Sequence, residues 1–531
     1  MATLAQLPIG VRYGDPTATT RKMILYSLTN TAMSVVCNGS AYTVTLAAVG
    51  TDRGSGPAQA GYVGNILITG LAVGVSYPYT VTQGSNSRSG NIAPFYSSTT
   101  QDYSFFILAC DFSQAGPGLY YKIKEYAQSG ALPTIGYFHS DDLGYVDTSS
   151  VDDITNGVGV HKSTGLPYVT KKDYDYAIGY LAHLGLLGDL STSYDTEFGR
   201  DEFRVWVREN LPLMPQWGNH EFDGDMGTPN TPAINVQTGA RPNAYHRTAS
   251  PGFDGPALVA WNNFFKPLQP STEFVKTNAT ISNSWGITLP NVQVVAPDNI
   301  TYSDGFASTS FFSAGGIDDV LTYLNTTTPF KIMLMNHSIR GLGSNNLGAH
   351  YQMEYYVNAE YKRMFTAPVG ATPKSIMSNP NTNGAIGVTV CVHGDYHAAQ
   401  VTQNNQVLAG QTTEMFYSIN GATINGSPGH GASGVVGTTY AGVGGVAATG
   451  STLKYRRPSD STPKAYYVRV DMHASQAPKY MQISLMAEEG VAWSGKFYAR
   501  SSNDAFPENW QAAGKIGGSL DSSRNGLGGR V

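Results

Sequence analysis

Residues 211–221 read LPLMPQWGNHE. The apolar run 211–215 predicts a buried strand, and the polar residues after it predict a turn at the strand's carboxyl end. Parallel-sheet proteins place ligands and reactive groups at that end of their strands. The amide oxygen of Asn219 is a hard, neutral metal ligand, and the imidazole of His220 can donate a proton or hold an anion. An ordinary polar turn would look the same, so the other strand ends must be compared.

The composition limits the classes of protein to consider. The net charge at pH 7 is -5 and basic residues form no stripe, so nucleic acid is not an evident partner. Charged residues make up 13% of the chain, against about 25% in ordinary soluble domains. Gly, Ser, Thr, Asn and Tyr fill the difference. This composition favours β-rich sandwiches with long ordered loops, as in extracellular or virion-surface proteins.

The sequence shows no disulfide framework, because its three cysteines, Cys37, Cys110 and Cys391, are odd in number and far apart. The first residues lack the basic and apolar regions of a secretory signal. No apolar run reaches the roughly 18 residues of a membrane span. We therefore expect a soluble chain without a membrane span. The sequence assigns no localisation beyond the extracellular or virion-associated character of its composition.

Residues 1–100 are predicted to form a small β-sandwich. Short runs such as 41–46 and 66–71 alternate with Gly- and Ser-rich turns, without helical periodicity. Leu71 precedes a turn, and apolar side chains then alternate at Tyr77, Tyr79 and Val81. This arrangement resembles the fibronectin type III pattern, in which those side chains face the core.

From residue 101 onward, apolar runs end at polar residues. The run 103–110 ends at Asp111, and the helical spacing over 119–127 predicts a helix that stops at Gly130. A second run, 133–138, leads to two adjacent acids. The order strand, helix, strand, with acids after the strands, predicts a βαβ unit.

Three later apolar runs also end at potential ligands. They are 292–297 before Asp298, 331–335 before His337, and 388–392 before Asp395 and His397. We expect one domain over residues 101–500, which returns to β character after residue 398. Residues 501–531 are predicted to form a Gly- and Ser-rich C-terminal tail.

The strand-end residues could build two adjacent metal sites in one pocket. They are Asp111, Asp142, Tyr145, Asn219, His220, His337, Asp395 and His397. Two cations about 3.5–4 Å apart, bridged by a carboxylate, bind phosphate and activate a water for in-line displacement. A tyrosine phenolate would favour a hard trivalent ion such as iron at one of the two positions.

In this order the motifs resemble the calcineurin-like metallophosphoesterase superfamily, and most closely its purple acid phosphatases and alkaline phosphatase D family. The family pattern is Asp, Gly-Asp-x-x-Tyr, Gly-Asn-His-Glu, a lone His, and Gly-His-x-His. The matching positions are Asp111, 141–145, 218–221, His337 and 394–397. The resemblance covers about residues 1–490, because a fibronectin-like domain precedes the catalytic domain in many relatives. It implies an α/β fold, the αββα metallophosphoesterase sandwich, after an N-terminal fibronectin type III-like β-sandwich.

The resemblance also implies roles for the residues. Asp142 would bridge the two metal ions, with Asp111, Tyr145 and His397 on the first and Asn219, His337 and Asp395 on the second. His220 would face the phosphate as a general acid or electrostatic stabiliser. Iron is expected at one site, and zinc, manganese, iron or calcium at the other.

Two positions depart from the family pattern. Asp141 replaces a Gly, which removes backbone freedom at a tight turn. Asp395 replaces the first His of the last motif; the alkaline phosphatase D family has Asp there, which would favour a harder second metal.

Two ligand assignments have alternatives. In the alkaline phosphatase D family a Cys at the end of the first strand binds iron, so Cys110 competes with Asp111. Asp189, in a Gly-Asp-Leu-Ser segment, competes with Asp142 as the bridging carboxylate, although no Tyr follows it at the family spacing.

The resemblance implies a metal-dependent hydrolase, a phosphatase or phosphodiesterase, that acts on phosphate esters. The alternative is a structural or adhesive protein, such as a phage virion component, that uses the fold as a scaffold within a larger particle. The missing signal peptide, the low charge and the two departures from the family pattern favour that alternative.

Overall fold

The structure is a computed structural model of the chain. It describes residues 4–49, 61–110, 117–140, 143, 160–161, 166–167, 180–181, 184–186, 200–216, 218, 255–276, 283–298, 316–324, 326–335, 389–394, 399–406, 414–420, 439–440, 451–456 and 465–499.

The first eight strands form two facing layers. They are β1 (Ile9–Gly14), β2 (Arg21–Ser27), β3 (Met33–Cys37), β4 (Ser40–Val44), β5 (Ala47–Val49), β6 (Gly61–Ile68), β7 (Tyr77–Gln83) and β8 (Asn86–Ile92). One layer has the order β1-β2-β6-β5, and the other is an antiparallel sheet with the order β4-β3-β7-β8. Val11 and Leu25 of the first layer share a buried apolar cluster with Val35 and Val81 of the second.

Helices and strands alternate in the middle of the chain. The helices are α1 (Pro117–Ser129), α2 (Glu202–Asn210), α3 (Gly255–Phe264) and α4 (Gly316–Leu324), with a 3-10 turn at Lys266–Leu268. The strands are β9 (Tyr103–Leu108), β10 (Thr134–His139), β11 (Val160–His161), β12 (Leu166–Pro167), β13 (Leu213–Pro215), β14 (Trp285–Leu289), β15 (Val292–Ala296), β16 (Phe330–Met335) and β17 (Val390–His393). No helix in the described ranges is long and apolar enough to cross a membrane.

The last seven strands are antiparallel additions to two large sheets. They are β18 (Gln400–Gln406), β19 (Glu414–Asn420), β20 (Thr439–Tyr440), β21 (Ser451–Arg456), β22 (Tyr466–His473), β23 (Tyr480–Ala487) and β24 (Gly490–Tyr498). Their pairings are antiparallel, except that β19 pairs in parallel with β17. The ten-stranded sheet has the order β24-β23-β22-β9-β10-β13-β1-β2-β6-β5. The eight-stranded sheet has the order β14-β15-β16-β17-β19-β18-β21-β20.

The continuous apolar runs are strands buried on both faces. Every residue of β9, β10 and β16 is buried, as expected for central parallel strands that are covered on both sides. The predicted helix between the first two of these strands is α1. It ends where Gly130 adopts a φ of 69°, a left-handed conformation that favours glycine.

The two large sheets pack face to face. Phe138 of the ten-stranded sheet and Trp285 of the eight-stranded sheet stack with ring centroids 5.9 Å apart and planes 13° apart. Around them, Ile107 and Met214 of the first sheet share one buried cluster with Val294, among other residues of the second. Burial of these apolar side chains stabilises both sheets.

Helices cover the outer faces. Ile123 of α1, Val207 of α2 and Trp261 of α3 pack with Phe106 and Leu213 in a second buried cluster, on the side of the ten-stranded sheet that faces away from its partner. On the far side of the eight-stranded sheet, Gln293 of β15 donates a hydrogen bond of 3.1 Å to the carbonyl of Tyr323 in α4.

The N-terminal layers are joined to the rest of the chain through β1. This strand pairs in parallel with β13, with Gly14 opposite Leu213, so the first layer continues the ten-stranded sheet. The second layer touches α2, where the Tyr79 hydroxyl donates a hydrogen bond of 2.8 Å to the carbonyl of Glu209. The division of the chain at residue 100 stays a prediction.

Candidate functional site

The predicted site residues lie outside the described part of the chain. They are Asp111, Asp142, Tyr145, Asn219, His220, His337, Asp395 and His397, together with the rival bridging residue Asp189. Each of the first eight is nevertheless within two residues of a described position. Those positions are Cys110, Leu143, Gly218, Met335, Gly394 and Ala399, and all six are buried.

Three strands of the ten-stranded sheet end side by side. β9, β10 and β13 are parallel neighbours, with His139 paired to Leu108 on one side and to Pro215 on the other. The pairing continues beyond the strands, because Ser140 N–H donates to the Leu108 carbonyl at 2.8 Å and Gln216 N–H donates to the His139 carbonyl at 2.6 Å. The chain therefore leaves this sheet three times at the same edge.

The eight-stranded sheet has an equivalent edge. β15, β16 and β17 are parallel, and Met335 at the end of β16 is paired with His393 at the end of β17. His393 is also paired with Asn420 at the end of β19, which is parallel as well. His337 and Asp395 follow two of these strand ends in the sequence.

Hydrogen bonds join the two edges. The buried side chain of Gln216, directly after β13, donates to the carbonyl of Pro297, directly after β15, at 2.7 Å. The Trp285 indole donates to the Pro215 carbonyl at 2.8 Å, and Gln269 donates to the same carbonyl at 3.1 Å. The carboxyl ends of β13 and β15 therefore meet. We call the edge formed by these two ends and by the neighbouring ends of β9, β10, β16 and β17 the rim.

Cys110 is in a strained conformation at this rim. It is fully buried in the cluster between the sheets and has a φ of 52°. A residue with a β-carbon adopts such a conformation at a cost of about 1–3 kcal/mol, and such strain concentrates at functional sites. Cys110, one of the two alternative ligands at this position, is thus held by its surroundings in a backbone conformation that a residue with a β-carbon disfavours.

Two buried histidines end the central strands. His139 is the last residue of β10 and His393 is the last residue of β17, and both are almost inaccessible to solvent. Burial lowers the pKa of His393 to about 3, so this imidazole is neutral at physiological pH. Both residues are paired with neighbouring strands, which indicates a packing role.

Asp298, which the sequence offered as another potential ligand, has a structural role. Its carboxylate accepts a hydrogen bond of 2.9 Å from Asn283 N–H, and its own N–H donates to the Ser284 hydroxyl at 2.8 Å. The Asn283 side chain accepts a hydrogen bond of 2.6 Å from Lys266. These contacts connect the start of β14 with the end of β15.

Gln216 is the rim residue that sequence reasoning missed. Its signal was a polar residue directly after an apolar run, which was read as part of the turn. Within the described ranges no group of three His, Cys, Asp or Glu side chains could hold a metal. A metal centre at this rim therefore depends on the predicted ligands themselves.

Comparisons with known proteins add little. No family model and no curated protein matches the chain. One similar solved structure is GAP50, the anchor in the inner membrane complex of Plasmodium, at 10% identity over 78% of this chain and 95% of that chain, with a TM-score of 0.34. Another is a carbohydrate acetylesterase from Xanthomonas citri, at 14% identity over 54% and 80% of the two chains, with a TM-score of 0.13. Both TM-scores are too low to support a fold or a function.

Proposed function

We propose that the chain is a metal-dependent phosphoesterase with two metal ions, built on the αββα metallophosphoesterase sandwich. One observation carries the proposal: hydrogen bonds bring the carboxyl ends of β13 and β15 to one rim. Every predicted ligand follows or precedes a strand of these two sheets within a few residues. Short connections to strand ends that meet limit how far apart such ligands can be.

The donor set fits a pair of hard or borderline cations. Carboxylates, an amide oxygen, imidazoles and a phenolate suit iron, zinc, manganese or calcium. The bridging position would belong to Asp142, the first ion to Asp111, Tyr145 and His397, and the second to Asn219, His337 and Asp395. When bound, such a pair of ions supplies an activated water and charge stabilisation for phosphate ester hydrolysis. The chain's own His220 would hold the phosphate or donate a proton to the leaving group.

The surroundings of the rim support electrostatic catalysis. Phe138, Met214 and Trp285 pack directly beneath it in the cluster between the sheets, and none is more than 1% exposed. Buried apolar side chains next to a site lower the local dielectric constant, which strengthens interactions between fixed charges and a phosphate.

Hydrolysis of two substrates tests the proposal. Purified protein is assayed with p-nitrophenyl phosphate, a monoester, and with bis(p-nitrophenyl) phosphate, a diester. We expect hydrolysis of at least one, and a loss of at least about 100-fold in kcat/KM for Asn219→Ala and for Asp142→Ala, because each removes a ligand or the bridge. If Asp189 is the bridging carboxylate, Asp189→Ala should show this loss and Asp142→Ala should keep its activity.

The matched control is Asn86→Ala, which truncates the same side chain at the exposed start of β8. It should leave hydrolysis unchanged. Full activity in both Asn219→Ala and Asp142→Ala would exclude the proposed centre, whatever the activity of the control.

The second candidate is a structural or adhesive protein of a larger particle, which the low fraction of charged residues, 13%, favours. Elemental analysis of purified protein separates the two. Two metal ions per chain, with a visible tyrosinate-to-iron absorption, would favour the enzyme. Protein without bound metal and without hydrolysis after metal is added would favour the scaffold.

A further inference from the structure

A cavity of about 600 Å³ lies away from the rim. It is lined by the linker that follows β8, the turn between β1 and β2, the segment 270–273 and the hairpin of β14 and β15. The hairpin turn at Pro290 is at the start of β15, whereas the rim is at the end of that strand. The cavity thus lies at the opposite end of β15 from the rim, and its volume suits a ligand of two or three sugar rings.

Among the described residues of the cavity wall, Glu273 and Lys479 carry opposite charges. The Glu273 carboxylate accepts hydrogen bonds from Thr288 N–H at 2.8 Å and from the Tyr323 hydroxyl at 3.3 Å. The Lys479 ammonium donates to the Thr99 carbonyl at 2.7 Å and to the Asn291 side chain at 3.3 Å. With one charge of each sign, both already engaged, the described part of the wall attracts neither anions nor cations strongly.

The occupied Thr288 N–H also argues against a peptide ligand. β14 is the edge strand of the eight-stranded sheet, and an extended peptide could lengthen the sheet there through main-chain hydrogen bonds. Glu273 already accepts from the outward-facing amide of Thr288, so this edge is closed to strand addition at that position.

The rest of the wall combines flat apolar surfaces with unpaired hydroxyls. The apolar part of the wall is formed by Phe95, Tyr96 and four prolines, at positions 16, 270, 290 and 329. Tyr96 and Pro329 are the accessible members of this set, and the others are buried. Tyr96 is half-buried, so part of its ring remains accessible. Across the described ranges no hydrogen-bond partner exists for the hydroxyls of Ser97, Thr272 and Thr327, which line the same cavity. A hydroxyl can donate and accept, so these groups suit a ligand that does both.

We propose that this cavity binds a neutral oligosaccharide. Such a ligand has no net charge, offers hydroxyls that both donate and accept, and has C–H faces that pack on aromatic rings and prolines. A charged ligand of either sign would meet a like charge, at Glu273 or at Lys479, and a purely apolar ligand would displace water from the wall hydroxyls without replacing its hydrogen bonds. The site does not depend on the proposed hydrolysis.

Saturation-transfer NMR and calorimetry on the full chain test the proposal with maltotriose, cellotriose and N-acetylchitotriose. We expect at least one of them to bind, and Tyr96→Ala to weaken that binding at least about tenfold through loss of the stacking surface. Thermal unfolding shows whether Tyr96→Ala is folded. Thr272→Arg, which places bulk at an exposed position of the wall, should also weaken binding and serves if Tyr96→Ala does not fold.

The matched control is Tyr121→Ala, which removes an exposed aromatic ring from α1 outside the cavity. It should bind the sugar as the unchanged chain does. No saturation transfer to any of the three sugars at millimolar concentration would overturn the proposal. The proposal would also be overturned if Tyr96→Ala and Thr272→Arg both bound the sugar as tightly as the unchanged chain does. Tighter binding of the anionic 6′-sialyllactose than of the three neutral sugars would overturn it as well. Hydrolysis of p-nitrophenyl phosphate should be the same in Tyr96→Ala as in the unchanged chain.

Discussion

Burial changes the ionisation of two lysines, Lys331 and Lys266. Lys331, in β16, is 4% exposed, and its ammonium donates a hydrogen bond of 3.0 Å to the Thr326 carbonyl. Burial lowers the pKa of Lys331 to about 8. In Lys266, burial and then the neighbouring Lys276 lower the pKa to about 7. Both lysines are held in the folded chain at an energetic disadvantage while they carry a proton.

The Lys331 shift predicts a pH dependence of stability. In the unfolded chain the lysine keeps its proton up to about pH 10.5, whereas the folded chain loses it near pH 8, so the free energy of unfolding rises between about pH 8 and pH 10. Lys331→Met removes the buried charge. It should raise the free energy of unfolding by up to about 3 kcal/mol near neutral pH, and the gain should shrink toward pH 10. Urea unfolding across this range measures both effects.

The control for this prediction is Lys122→Met. The Lys122 side chain is 40% exposed and pairs with Glu125 on the surface of α1. Its substitution should change the free energy of unfolding by no more than about 0.5 kcal/mol, with little pH dependence. Buried tyrosines stay protonated in the folded chain and ionise near pH 10 when it unfolds, equally in all these variants, so their effect cancels in the differences. A gain in Lys331→Met that is independent of pH would contradict the assignment.

At the scale of elements, the sequence predicted the strands and the helix that depend on local sequence pattern. The apolar runs at 103–110, 133–138 and 331–335 became strands, and α1 begins and ends close to its predicted limits. The pairing of distant strands was not predictable, because it depends on packing and not on local preference. β1 lies beside β13, and β22 joins β9 from the far end of the chain. No periodicity within one strand carries that information.

In the candidate site, too, the local sequence predicted residues but not the contacts between distant segments. Its residues were predicted from the polar positions that follow apolar runs, and the structure describes the strand ends next to them. What joins the two edges is a side-chain hydrogen bond from Gln216 to a carbonyl 81 residues away. Such a contact is set by how the sheets face each other, so nothing near Gln216 in the sequence could indicate its partner.

One glycine in β10 is essential for the packing of that strand. Gly136 has a φ of 148°, and a β-carbon there would lie 2.7 Å from the ring and 2.8 Å from the carbonyl oxygen of Pro212. Gly136→Ala should therefore lower the free energy of unfolding by about 3 kcal/mol, since both the backbone conformation and the approach of the chains favour glycine. Chemical denaturation measures the loss.

Gly130→Ala is the matched control for this substitution. Gly130 also has a positive φ, 69°, but nothing lies within 4 Å of a β-carbon built there. We expect a loss of about 1 kcal/mol, from the backbone conformation alone. Equal losses in Gly130→Ala and Gly136→Ala would show that the approach of Pro212 does not matter.

At the scale of the whole molecule, one tyrosine ties the N-terminal layers to the rest of the chain. The fully buried hydroxyl of Tyr13, in β1, lies 2.7 Å from the Asn210 carbonyl at the end of α2 and 2.9 Å from the Asn91 carbonyl. It also accepts a hydrogen bond of 2.9 Å from Ala93 N–H. Burial raises the pKa of this hydroxyl, so it stays protonated and keeps its role as a donor.

Tyr13→Phe should therefore loosen the whole assembly. It keeps the ring but leaves Ala93 N–H and the Asn210 carbonyl buried without this partner, which should lower the free energy of unfolding by about 2–4 kcal/mol. Amide exchange should speed up in β8 and in α2 together, because both lose the same contact. Tyr42→Phe, whose hydroxyl makes only a 3.4 Å contact with Thr69 N–H, should change stability by no more than about 0.5 kcal/mol. Faster exchange in β8 alone would mean that the N-terminal layers and α2 are held together by other contacts, such as the Tyr79 hydroxyl on the Glu209 carbonyl.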